Sequence, residues 1–316
     1  MDQRIHEDFK PLTHITLPIH PLSLAATRRS LHLHGTTVRP LKGMSMVTRR
    51  IVSYDGNLIS VRVFSPSSKE DQMPCLVYFH GGGFLIPAAP YHWKLANLYA
   101  LKTPCKVVFV DYRLAPQYPF PTGLMDCYSA LQWVDKNAVL LGIDRNRIAI
   151  GGDSAGGNLA AAVSLRARDE GEFYIPRQIL IYPATYYDHS ESSPFASVME
   201  NGSEYLLTSR RICEYIDLYK RDDEDLKNPY FAPLLAKDFS DQPDTLIITA
   251  EFDPLRDEGE AYGRKLRAAG SRVTIYRMRD ALHGFMGLGT GYIHVRRAHA
   301  LINTFLNGGE RDESGR

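Results

Sequence analysis

Apolar and polar positions follow one another in a regular succession along most of the chain. Short continuous apolar runs occupy residues 75–79, 106–110, 148–150, 178–182, 246–250 and 273–276, the signature of strands buried on both faces. Stretches of helical pattern at 92–101, 123–136, 155–168, 256–268 and 292–306 separate most of these runs or follow the last one. Ahead of them, residues 47–53 and 58–64 also read as strands. Asp55-Gly56-Asn57 between the two supplies the Gly-containing turn of an antiparallel hairpin.

Eight strands, mostly alternating with helices after the hairpin, predict an α/β architecture: a mostly parallel sheet, helices on both faces and right-handed crossovers. The core is expected to span residues 46–183 and 244–306. The interval 184–243 is too rich in Pro, Ser and charge for a simple crossover, yet residues 208–220 have helical periodicity, which predicts an inserted helical cap. Residues 1–45, with several Pro and His and an amphipathic pattern near 22–33, read as a lid-like arm. The Gly-rich, charged stretch 307–316 reads as a disordered tail.

Composition narrows the function classes. The chain has 316 residues, 44% hydrophobic and 23% charged, enough for one large α/β domain with an insertion, and a formal net charge of +1. Its Lys and Arg are scattered, so neither nucleic acid nor an anionic membrane is an expected partner, whereas a small neutral substrate is. The start is polar and acidic with no apolar segment behind it, which predicts a cytoplasmic protein. Cys75, Cys105, Cys127 and Cys213 have neither metal-type nor disulfide-framework spacing and read as reduced packing residues. His32 and His34 lack a nearby Cys or carboxylate partner, so no metal site is expected there.

Ligands of open parallel sheets bind at the carboxyl ends of the strands, so the chemistry is sought there. After the run 148–150 comes Gly152-Asp153-Ser154-Ala155-Gly156, a G-x-S-x-G element between a strand and an Ala-rich helix. Such a sharp turn lifts the serine above the sheet edge and aims the following helix N-terminus at it. After the run 75–79 comes His80-Gly81-Gly82-Gly83-Phe84, whose glycines let backbone amides approach a substrate oxygen. A serine hydroxyl needs a base, and His283 follows the last strand; a base needs an orienting acid, and Asp253 follows the strand 246–250. Each feature has a structural alternative: a chance turn, a flexible glycine loop, a loop histidine bonded to backbone, a helix-capping aspartate before Pro254. The chain order Ser154, Asp253, His283 favours the chemical reading. His80 and His189 rank below His283, Glu251 is the reserve acid, and Asp257 and Glu258 suit a helix N-terminal turn.

With these residues the chain resembles the hormone-sensitive lipase-like esterases of the α/β-hydrolase fold. The resemblance rests on His80-Gly81-Gly82-Gly83, Asp111-Tyr112-Arg113-Leu114-Ala115-Pro116 with Tyr118-Pro119-Phe120-Pro121, Gly152-Asp153-Ser154-Ala155-Gly156-Gly157, Asp253-Pro254-Leu255-Arg256-Asp257-Glu258 and His283-Gly284-Phe285. It implies Ser154 as nucleophile, Asp253 and His283 as its triad partners, and Gly82, Gly83 and Ala155 as oxyanion-hole amides. It also implies His80, Asp111 and Arg113 as supports around the site, and a cap formed by the N-terminal arm and the later insertion. The expected reaction is hydrolysis of short acyl esters through an acyl-enzyme, with no metal or organic cofactor. An amidase or peptidase, or a non-catalytic receptor on the same fold, is the alternative. Phe84, Leu85, Tyr182, Phe285 and Met286 flank the loops and are candidates to close a small apolar substrate pocket, or else to pack beneath the cap. A homodimer is compatible with the sequence.

Overall fold

The computed structural model describes residues 28–29, 40–67 and 70–307. Histidines 32 and 34, most of the arm 1–45 and nearly all of the expected tail lie outside these residues, as does the pattern near 22–33 apart from Arg28 and Arg29. The strands are β1 Met44–Val52, β2 Leu58–Pro66, β3 Met73–Phe79, β4 Lys106–Asp111, β5 Ile143–Asp153, β6 Arg177–Ile181, β7 Asp244–Phe252 and β8 Val273–Leu282. The helices are α1 Pro90–Lys102, α2 Thr122–Lys136, α3 Ala155–Glu170, α4 Ala196–Asn201, α5 Ser209–Tyr219, α6 Arg256–Ala268 and α7 Ile293–Asn307.

All eight strands form one sheet in the order β1-β2-β4-β3-β5-β6-β7-β8. β1 and β2, and β2 and β4, pair antiparallel, and every later pair is parallel. The period of two along each strand divides the interior between two faces. Cys75, Val77 and Phe79 point into one core with Val108, Ile150, Leu180 and Ile247. Leu76 and Tyr78 point into the other with Phe109, Ala149, Ile179 and Ile248. Residues of α2, α3 and α6 cover the first face, and residues of α1 and α7 cover the second. This division follows from direction. The chain steps from β3 outward to β4 through α1, then returns past β3 to β5 through α2. A right-handed crossover places helices on opposite faces when the step reverses. The reversal leaves a crevice between the ends of β3 and β5, the position at which such sheets bind ligands.

Between β6 and β7 the chain makes a long excursion carrying α4, α5 and two single-turn 3-10 segments, Asp225–Lys227 and Pro233–Leu235. The expected helix at 208–220 appears as α5, with Thr208 as its N-cap, its side chain accepting from the Arg211 amide at 3.3 Å. Ile212 and Ile216, one turn apart, and Tyr219 turn its apolar stripe to the core. β5 and β8 exceed their apolar runs the most, by eight and six residues. β5 begins at Ile143, where Met73 pairs with it before a register irregularity, and its exposed stretch Arg145, Asn146, Arg147 hid that start. β8 continues to Leu282 as an edge strand, and its half-polar sequence obscured that extension. The hairpin turn forms at Asp55-Gly56-Asn57, with the Ser53 amide bonded to Asn57 O at 2.8 Å. Cys75, Cys105 and Cys127 are buried, and burial pushes all three thiols up, which keeps them protonated; all four cysteines are free.

Candidate active site

The turn between β5 and α3 builds the centre. Ser154 has φ of 56° and ψ of −121°, outside the regions where side-chain-bearing residues rest. Its amide donates to Ile181 O at 2.8 Å, which ties the turn to the end of β6. The bend is tight: a Cβ at Gly156 would lie 2.0 Å from Phe79 O, so only glycine lets α3 start this close to β3. Tyr78 Oη donates to Asp153 Oδ1 at 2.8 Å and the Gly81 amide donates to the same oxygen at 3.0 Å. The residue before Ser154 therefore holds the glycine loop against the serine turn.

His283 and Asp253 complete a hydrogen-bonded relay with Ser154. The imidazole Nε2 lies 2.9 Å from Ser154 Oγ, and Nδ1 lies 2.7 Å from Asp253 Oδ2. The side chain of Asp253 is wholly buried and that of His283 is 11% exposed, so the relay opens toward its serine end. Asp253 Oδ1 accepts from the Leu255 amide at 2.9 Å, fixing the carboxylate in the turn before α6. A carboxylate on Nδ1 holds the proton there and leaves the Nε2 lone pair toward the hydroxyl. Glu251 is turned elsewhere: its Oε2 accepts from the Asp280 amide at 2.9 Å. His80 is buried with its Nδ1 2.7 Å from Gly81 O; burial, with His92 nearby, pushes its imidazole down to about 3, so it remains neutral.

Of the three expected oxyanion-hole residues, Gly83 and Ala155 border the space beside Ser154. Among the described residues the amides of Gly82, Gly83 and Ala155 donate to no protein acceptor. Gly82 has φ of +129°, and a Cβ there would meet Ile86 O at 2.6 Å, so the loop takes this course only with glycine. Ala155 opens α3, whose N-terminal dipole adds positive potential beside Ser154. Arg113 and Asp111 sit farther back. Arg113 forks onto Asp126 through Nε and Nη2 at 2.9 and 2.7 Å, and Nη1 reaches Asp55 at 2.7 Å. Asp111 pairs with Arg62 at 3.1 Å.

A cavity of about 40 Å³ lies beside Ser154. Of the five expected pocket residues, Phe84 lines it, whereas Leu85, Tyr182, Phe285 and Met286 do not. All four are buried at 1% exposure or less. Tyr182 packs beneath the relay, its ring centroid 4.7 Å from that of His283 and 5.3 Å from that of Phe285, while Phe285 and Met286 fill the core behind. Tyr182 supports the imidazole, and all four leave the cavity wall to others. That wall comes from α3 (Asn158), from α5 (Ile212, Tyr215, Ile216) and from the irregular stretches bearing Tyr186, His189, Leu207 and Phe231. The α5 contribution had a signal, the Ile212–Ile216 spacing; the rest stands on loops with no periodicity. Two wider clefts, of about 510 and 610 Å³, lie elsewhere and include none of Ser154, Asp253 and His283.

A family model described as the alpha/beta hydrolase fold matches residues 76–287, which include the glycine loop, the serine turn, Asp253 and His283. The chain belongs to the α/β-hydrolase family. This α/β-hydrolase is 39% identical over 245 residues to a carboxylesterase of Mycobacterium tuberculosis, covering 76% of this chain and 75% of the relative. It is 34% identical over 284 residues to an ethyl acetate hydrolase of Pseudomonas putida, covering 87% of this chain and 86% of that one. Its fold matches the solved esterase of Pyrobaculum calidifontis with a TM-score of 0.84 at 34% identity, over 95% of this chain and 96% of that structure. Among the described residues no helix is long and apolar enough to cross a membrane, and no group of three or more His, Cys, Asp or Glu side chains could hold a metal.

Proposed function

We propose that this α/β-hydrolase is a serine carboxylesterase acting on short acyl esters, with Ser154 as nucleophile, His283 as general base and acid, and Asp253 as the acid that orients it. The observation that carries the reading is the unbroken relay Ser154 Oγ, His283 Nε2, His283 Nδ1, Asp253 Oδ2, at 2.9 and 2.7 Å. Ester hydrolysis is also the activity named for the relatives. Ser154 Oγ adds to the ester carbonyl as its proton passes to His283 Nε2, and the carbonyl oxygen, now an anion, takes hydrogen bonds from the amides of Gly82, Gly83 and Ala155. The tetrahedral adduct collapses, the bond to the alcohol oxygen breaks, and His283 protonates the departing alkoxide. Water then gives its proton to His283 as it adds to the acyl-serine, and the acid leaves with Ser154 restored.

Residues 184–243 form the cap in this reading, and α5 closes the acyl side. The cavity of about 40 Å³ supports a short-chain preference. An added methylene gains roughly 0.8 kcal/mol only where there is room to bury it, and overpacking costs strain. Acetyl to butyryl esters are therefore expected to give the highest kcat/KM, with a fall beyond about six to eight carbons. Initial rates on 4-nitrophenyl esters from C2 to C12, each below its aggregation limit, test this. A maximum at C10 or longer would replace the short-chain reading with that of an open lipase-like groove.

A further inference from the structure

The cavity beside Ser154 is lined mostly by apolar groups, yet two of its lining residues are polar, buried and incompletely bonded. Asn158 is 2% exposed and its Oδ1 has no partner; His189 is 1% exposed and its Nδ1 has none. The orientation of each group follows from its other contacts. Asn158 Nδ2 donates to Phe231 O at 2.9 Å, and because a carbonyl only accepts, the amide nitrogen must face Phe231 and the oxygen is left over as an acceptor. His189 Nε2 lies 2.6 Å from Glu258 Oε2, while Glu258 Oε1 accepts from the amides of Thr185 and Tyr186 at 2.6 and 3.1 Å. A carboxylate so placed keeps the imidazole proton on Nε2, which leaves Nδ1 as a second acceptor.

A buried acceptor without a donor calls for an explanation, and one that borders a cavity beside a nucleophile can be completed by a group that enters that cavity. Neither atom belongs to the Ser154 relay. Asn158 lies one turn into α3, its amide bonded to Ser154 O at 3.1 Å. Its backbone therefore stands about one helical pitch, ~5 Å, from that of Ser154, and the two residues line the same cavity, as an acyl chain held at Ser154 would.

We propose that this cavity receives a hydroxylated acyl group, the acyl part of a short 2- or 3-hydroxy acid ester, whose hydroxyl donates to Asn158 Oδ1 or His189 Nδ1. The inference rests on the ester-hydrolase reading and specifies its substrate class. A plain acyl chain would cover the two acceptors with methylenes, whereas a hydroxyl supplies the proton that one of them lacks. Sites built to hydrogen-bond a substrate hydroxyl discriminate against the analogue without it far more strongly than apolar pockets discriminate by one methylene.

The test uses the full chain and four 4-nitrophenyl esters: butyrate against 3-hydroxybutyrate, and propionate against 2-hydroxypropionate. Each kcat/KM is divided by the rate constant for hydroxide-catalysed hydrolysis of the same ester, which removes differences in intrinsic reactivity. At least one hydroxy ester is expected to exceed its deoxy partner by about tenfold or more. The variant Asn158→Leu, which removes an acceptor at similar volume, is expected to shift the preference the other way, raising kcat/KM on butyrate while lowering it on the favoured hydroxy ester. A gain on one substrate cannot come from a damaged fold. Turnover of the plain esters with equal or poorer use of both hydroxy esters overturns the inference and leaves the esterase reading in place. No turnover of any of the four removes that reading as well. If the leucine variant does not fold, the wild-type ratios decide.

Discussion

Asp253 and Glu258, five residues apart where β7 passes into α6, each hold a histidine from a distant part of the chain. Asp253 lies 2.7 Å from His283 and Glu258 lies 2.6 Å from His189, and both carboxylates are wholly buried. The difference is what surrounds the pair. His283 has its second nitrogen 2.9 Å from Ser154 Oγ, and its side chain is partly open. His189 is buried from bulk solvent and borders the small cavity, with its second nitrogen unpartnered, and Glu258 also takes the amides of Thr185 and Tyr186. A carboxylate beside an imidazole fixes a tautomer in both places. The reactive potential of one pair comes from the hydroxyl at its far end, and the other pair fastens the start of the β6–β7 excursion to the helix that carries Asp253.

Ser154→Ala is expected to lower kcat on the order of 10⁶-fold with the fold intact, as nucleophile deletions do in other serine hydrolases, and substantial activity in the purified variant would remove Ser154 from the mechanism. Asp253→Asn is expected to cost roughly 10⁴-fold in kcat, because the amide would misorient the imidazole. Glu251→Gln should change kcat much less, since Glu251 holds the Asp280 amide instead; the reverse ranking in steady-state assays would mean that the acid is misassigned.

At the His189–Glu258 pair the expected loss is in stability. Glu258→Ala strands His189 and the Thr185 and Tyr186 amides, and breaking a buried pair from one side costs about 3–5 kcal/mol. Urea unfolding should show that loss, with a smaller effect on kcat than Asp253→Asn has; a fall in kcat as large, in a stably folded variant, would erase the distinction between the two pairs.

A third imidazole sharpens the contrast because it has no carboxylate. His299 of α7 packs against Tyr99, neither ring nitrogen has a partner, and burial pushes it down from 6.5 to about 4. A base depressed in the folded state contributes stability that is present above pH 6.5 and is lost as pH falls toward 4, at roughly 1.4 kcal/mol per unit. His299→Leu is therefore expected to reduce the drop in Tm between pH 7 and pH 5 by a few degrees. An unchanged drop would show that His299 charges without penalty. His80, held down to about 3, retains a share of the acid sensitivity.

Much of this molecule was legible because its signals are local. A continuous apolar run reads as a strand wherever it lies, and each of the six runs meets a strand, five of them inner and 273–276 at the sheet edge. The glycines at 82 and 156 announce close backbone approach in any setting, and both stand where such approach occurs. The exposed start of β5 and the later part of the edge strand β8 carry no such signal, since a strand without two buried faces loses the apolar continuity that marks it. The pocket residues were the weakest reading. Phe84 alone of the five reaches the cavity, because adjacency to a catalytic loop in sequence does not say which side of the sheet end a side chain faces.

The order of elements, the strand-turn-helix setting of Ser154 and the succession of Ser154, Asp253 and His283 follow from composition and periodicity along the chain. Three other features exist only in the folded state. One is the closing of 129 and 30 residues of sequence separation into contacts of 2.9 and 2.7 Å. Another is the aim of the two carboxylates at the end of β7, Asp253 onto His283 and Glu251 onto the Asp280 amide. The last is the cavity wall of α5, Asn158 and His189. A sequence records what each residue is able to do within a few neighbours. Which distant groups meet, and which buried atoms are left without partners, is decided by the packing of whole elements against one another.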